Sequence, residues 1–113
     1  MKMQDEFSKQ FAEQVKGCAA TIEQVASGES ELGDVAEYFE DVLDVEIISD
    51  LRGEYRGAKI WLTLGGPNIC LDTRESCVKG YWWSDRAECH VQKFAVDAVD
   101  EYFSELWEMT RGY

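Results

Sequence analysis

The chain has 113 residues, 45% of them hydrophobic and 12% aromatic, with 11 Lys and Arg against 23 Asp and Glu and a formal net charge of −12. That length supports one compact domain with one core and leaves no room for two. The aromatic content excludes a disordered acidic tail, which would lack apolar surface to bury, and no apolar run approaches the ~18 residues of a membrane span.

The N-terminus, Met1-Lys2-Met3-Gln4-Asp5-Glu6, leads into an amphipathic pattern and not into an apolar leader. Phe7, Phe11, Val15, Cys18, Ile22 and Val25 recur at steps of three and four, which predicts a helix from about Asp5 to Ala26 with one apolar stripe. After Ser27-Gly28 the pattern resumes through Leu32, Val35, Ala36, Phe39, Val42 and Leu43, a second helix with Ser30 as its cap. The period then falls to two. Val45 to Asp50 reads as a strand, Gly53 as a turn, and Tyr55 to Leu64 as a second strand with Ile60, Leu62 and Leu64 on one side. Gly65-Gly66-Pro67-Asn68 is a turn, Asn68 to Thr73 a third strand, and Cys77 to Trp83 a fourth across the polar Arg74-Glu75-Ser76. From about Val91 the helical period returns with Ala95, Val99, Tyr102, Leu106 and Met109, flanked by Ala98 and Phe103. Short connections make the strands antiparallel. The expected fold is a single two-layer α+β domain over residues 1–113: two helices, a three- or four-stranded meander, and a closing helix.

The acidity is local. From Glu29 to Glu46 stand Glu29, Glu31, Asp34, Glu37, Glu40, Asp41, Asp44 and Glu46 without a Lys or Arg; from Asp97 to Glu108 stand Asp97, Asp100, Glu101, Glu105 and Glu108, again without one. The remaining acids nearly balance the bases. Within these runs Asp34, Glu37, Asp41 and Asp44 step by three and four, with Glu40 beside them, and Asp97, Glu101, Glu105 and Glu108 do the same, so each set falls on one helix face with Cβ atoms ~5–6 Å apart. Like charges at that spacing repel by some tenths of a kcal/mol per pair, a cost that a merely soluble helix relieves by mixing in Lys. Such a stripe has the spacing to imitate phosphates and to occupy the basic groove of a nucleic-acid-binding protein. A solvated helix face is the competing explanation of the same residues.

Other constellations point elsewhere. Cys70, Cys77, Cys89 and His90 supply zinc-ligand types, but six and eleven residues separate the successive cysteines and no Cys-x-x-Cys occurs, so structural thiols are expected and no metal. Cys18 falls on the first helix's apolar stripe. In a cytosolic chain the four cysteines stay reduced. Cys89 and His90 are sequence neighbours that a strand would turn to opposite faces, which argues against a nucleophile and base pair and against an enzyme. The Gly65-Gly66-Pro67-Asn68 turn lacks the Lys and Ser/Thr of a phosphate loop, and no pattern calls for a cofactor. Trp82 and Trp83 face opposite sides of a strand, so one of them with Trp61 offers an aromatic strip on the outer sheet face. Base stacking there would need a positive field, so a protein partner or a homodimer is expected in place of nucleic acid.

Three segments, Thr63-Leu64-Gly65-Gly66-Pro67-Asn68, Gly80-Tyr81-Trp82-Trp83-Ser84-Asp85-Arg86-Ala87 and Ala98-Val99-Asp100-Glu101-Tyr102-Phe103-Ser104-Glu105-Leu106, resemble a set of uncharacterised short acidic proteins of phages and conjugative elements of Gram-positive bacteria. The resemblance covers roughly residues 35 to 107. It implies a mobile-element origin and, by analogy of class with DNA-mimic anti-CRISPR and antirestriction proteins, a non-enzymatic inhibitor whose partner is a CRISPR nuclease or restriction enzyme. The contact residues would then be Asp34, Glu37, Glu40, Asp41, Asp44, Asp97, Glu101, Glu105 and Glu108, against the alternative of an interaction module using Trp61, Trp82 and Trp83.

Overall fold

In the computed structural model, which describes residues 2–42 and 44–111 and the side chains from residue 6 onward, α1 (Lys2–Ser27) and α2 (Val35–Phe39) precede five strands, and α3 (Lys93–Arg111) follows them. The strands are β1 (Asp44–Ser49), β2 (Tyr55–Thr63), β3 (Asn68–Asp72), β4 (Cys77–Trp82) and β5 (Asp85–His90). Each pairs antiparallel with the next, so order in the sheet is order in the chain. The α+β class, the antiparallel meander and the helices at both ends match the sequence expectation. The strand count does not: five replace three or four.

The extra strand is β5. Its inward positions, Asp85, Ala87 and Cys89, alternate with the exposed Arg86, Glu88 and His90, a pattern too poor in large apolar residues to register as a strand. It forms because β4 turns back at Trp83-Ser84 and presents a complete ladder, from Trp82↔Asp85 to Cys77↔His90. Trp83 accordingly lies in the turn, with φ 56°, and not on the strand. At the other hairpin β2 stops at Thr63, leaving Leu64 exposed instead of inward.

Both long helices lie on one face of the sheet. Along α1 the residues Phe11, Val15, Ala19, Ile22 and Val25 are buried at helical spacing and sit over β4 and β5. Gly80 makes this approach possible, because a Cβ there would stand 2.6 Å from Val15 Cγ2 and 2.8 Å from the Phe11 ring. On α3, Ala95, Val96, Val99 and Phe103 are buried against β2 and the side of α1. The sheet contributes Ile60, Ile69, Leu71 and Val78 to the same core.

The second predicted helix shrinks to one turn. Asp34, not Ser30, is its cap: the Asp34 carboxylate accepts from the Glu37 backbone N–H at 2.9 Å, whereas the Ser30 hydroxyl accepts from Leu32 N–H in the preceding loop. Beyond Phe39 the chain bends at Glu40 and Asp41 and enters β1. The β-favouring residues that follow, Val45, Ile47 and Ile48, draw the chain into extended backbone there. Phe39 holds the turn in place, its ring 5.7 Å edge-on from Phe103. Leu43, expected on this helix's apolar face, lies outside the described residues.

Candidate functional site

Shortening of α2 scatters the first acidic stripe. Asp34 caps α2, Glu37 sits in its first turn and folds back toward Gly33, and Glu40 is the C-cap. Asp41 follows in a turn, and Asp44 opens β1 opposite Trp61. All five are exposed, but they no longer share one helix face, so the stepwise spacing read from sequence has no helix to act on.

The second stripe is real. Asp97, Glu101, Glu105 and Glu108 are exposed along the outside of one continuous helix, α3. Its two ends are opposed by bases lying just outside the acidic run: Lys93 Nζ is 2.8 Å from Asp97 and Arg111 is 3.2 Å from Glu108. The Asp97 carboxylate, by that hydrogen bond, holds the Lys93 ammonium above its ordinary range. Asp100 is also engaged, accepting from the Tyr55 hydroxyl at 2.6 Å; burial first and this bond second push the Tyr55 phenol up. The bare centre of the stripe is Glu101 and Glu105.

These two carboxylates meet Asp34. An open groove of about 400 Å³ runs between the end of α1, the start of α2 and α3, and its walls include Asp34, Glu101 and Glu105 together with Ala26, Ala98 and Tyr102. The two acidic stretches, far apart in sequence, thus converge on one surface through three of their residues. No Lys or Arg lies within ion-pair distance of these three among the described residues.

The tryptophans do not form a strip. Trp82 points toward α1, edge-on to Phe7 at 5.4 Å and Phe11 at 6.0 Å. Trp83 is 93% exposed at the hairpin tip. Trp61 lies on the uncovered sheet face, its indole N–H donating to Glu46 at 2.9 Å and Lys59 Nζ 5.8 Å from its ring. The thiols are also dispersed. Cys70 is buried in the middle of that face, and burial pushes its pKa up to about 11. Cys77 and His90 are cross-strand partners, while Cys89 packs toward the core. Among the described residues no three His, Cys, Asp or Glu side chains converge as a ligand set.

A further surface escaped the sequence. An apolar groove of about 280 Å³ opens between α3 and β1, walled by Val45 and Ile47 on the strand and Phe103, Leu106 and Trp107 on the helix, with Glu40 at its rim. α3 leans over β2, so the inward side chains of the edge strand β1 are only half covered. The available signal was Trp107, an apolar side chain beyond those the α3 core stripe requires. The groove's far end is fixed by the β1–β2 turn, whose Gly53 carbonyl accepts from both Trp107 Nε1 at 2.7 Å and Arg111 at 2.6 Å. Comparison with known proteins returns no matching family model, no matching curated protein and no matching solved structure.

Proposed function

We propose that the protein is a non-enzymatic acidic decoy, acting in the cytoplasm, that presents the Asp34, Glu101 and Glu105 surface to the basic groove of a nucleic-acid-binding protein. The observation that carries this reading is that both acidic stretches line one groove, with no Lys or Arg within ion-pair distance of Asp34, Glu101 or Glu105 among the described residues. Carboxylates held there would engage the Lys and Arg that a partner uses for phosphates, and the net charge of −12 would steer the encounter over a Debye length of ~10 Å. Asp97 and Glu108, screened by Lys93 and Arg111, would flank the contact, and Glu37, Glu40, Asp41 and Asp44 would add long-range field more than direct contact. A mobile-element inhibitor of a CRISPR nuclease or restriction enzyme fits this chemistry, in keeping with the resemblance of its sequence.

The test is capture of such nucleases at low salt by the wild type and by a triple variant, Asp34→Asn with Glu101→Gln and Glu105→Gln. Salt-sensitive capture by the wild type that the triple variant loses is the expected result. Capture that is unchanged in the variant, or that salt does not weaken, rejects the decoy. Salt-insensitive self-association would favour the alternative, an interaction module or homodimer; the 93% exposed Trp83 is the feature that supports it.

A further inference from the structure

The edge strand β1 joins two features that call for the same kind of ligand. Its only ladder partner among the described residues is β2, so one row of its backbone donors and acceptors faces outward. Toward the helices its Val45 and Ile47 line the apolar groove with Leu106 and Trp107. Toward the other face its Asp44 and Glu46 are exposed; Glu46 accepts from the Trp61 indole N–H and stands across the ladder from Lys59, yet no Lys or Arg lies within ion-pair distance of either carboxylate among the described residues.

We propose that β1 is a docking edge for an extended segment of a partner protein whose residues alternate apolar and Lys or Arg. An added antiparallel strand repeats the pleat with period two, so its apolar side chains enter the groove while its basic ones stand beside Asp44 and Glu46. Charge decides the occupant. A second copy would bring its own Asp44 and Glu46, and another −12, to the same edge, where like charges across strands destabilise pairing. A helix in the groove would leave the open ladder and the two carboxylates unused. The inference goes beyond phosphate imitation and is tested without any nucleic-acid-binding protein, so the two can fail separately.

The probe is a labelled peptide alternating Val and Lys, matched in length to the six residues of β1, titrated with the full chain and followed by fluorescence anisotropy. It is expected to bind, and a Val/Glu peptide is not. Methylating the backbone nitrogens of all Lys residues blocks one peptide edge and of all Val residues the other, so one methylated peptide should lose binding and the other keep it. Glu46→Lys should weaken binding about tenfold and Leu106→Gln about threefold, each with unchanged circular dichroism. Glu101→Gln with Glu105→Gln should leave it near wild type. The proposal is overturned if both methylated peptides bind alike, if Glu101 and Glu105 matter as much as Glu46, or if the chain self-associates through this edge and Leu106→Gln abolishes that association.

Discussion

At Gly80 a missing side chain sets the distance between two layers. A methyl group there would stand 2.6 Å from Val15 and 2.8 Å from Phe11, both buried in the core, so α1 would have to lift from β4. Gly80→Ala is therefore expected to cost about 2 kcal/mol, in the range of overpacked cores, measured as a shift in the urea midpoint. Gly57 is the control. A Cβ there would meet Arg74 Cγ at 2.4 Å and the Thr73 hydroxyl oxygen at 3.2 Å, atoms of the sheet's own strands and connections with no part of α1 among them, and the Arg74 side chain is exposed. Gly57→Ala should cost less than Gly80→Ala, because it displaces an exposed side chain in place of a helix, and a Gly80→Ala midpoint near wild type would refute the view that α1 rests directly on β4. Neither close approach was legible in the sequence, because a glycine within a strand pattern does not say what presses on it.

Among the elements, the two long helices were legible and the one-turn helix was not. Phe11, Val15 and Ile22 on α1 and Ala95 and Val99 on α3 are buried at the positions their spacing predicts, because a 3.6 period sustained over several turns has no competing interpretation. For α2 the helix lasts one turn although the apolar spacing continues, since it starts at the Asp34 cap and not at Ser30 and the chain after Phe39 turns into an edge strand. That difference decides the fate of the acidic stripes: the one on α3 survives and the one on α2 disperses. The convergence of Asp34 with Glu101 and Glu105 depends on tertiary packing that no local pattern encodes. α2 hangs on Phe39, whose ring packs on Phe103. Phe39→Ala should cost about 3 kcal/mol and raise amide exchange across α2 well before α3; uniform exchange would show that α2 does not open by itself.

The β1–β2 turn offers a titratable handle at the same scale. Asp50 lies below the usual carboxylate range, chiefly because it accepts from Glu54 N–H, assisted by Arg56 and by Arg52 N–H. A depressed folded pKa means that its stabilisation is present above the unfolded value of ~3.9 and disappears as pH falls through the lower, folded value. A carbon NMR titration should place the Asp50 midpoint below that of a free aspartate, with the Arg52 and Glu54 amide shifts following the same curve. A midpoint at the free value would remove the turn's electrostatic anchor.

For the whole molecule, a net charge of −12 on 113 residues makes the folded state repel itself, and most of the uncompensated carboxylates lie on the surface. Added salt screens that repulsion. Thermal midpoints are expected to rise by several degrees between ~0.01 and ~0.5 M NaCl, opposite to what a fold dependent on its exposed ion pairs would show. A falling midpoint would mean that pairs such as Lys93–Asp97 and Arg111–Glu108 outweigh the general repulsion. Net charge was the most legible property of the sequence. Where that charge concentrates was legible on α3, whose helix persists, and not around α2, whose helix stops after one turn.

One carbonyl has a further effect on this balance. Gly53 receives both Trp107 and Arg111, tying the last turn of α3 to the tip of the first hairpin, so the groove between α3 and β1 has a fixed width. A cleft braced at its end spends little free energy on ordering its own walls when filled. Ligands of differing fit should then enter at similar rates and differ mainly in how long they stay. Unfastening the brace takes Trp107→Phe together with Arg111→Ala, since each side chain alone still holds the turn, and the pair would give slower, more accommodating capture.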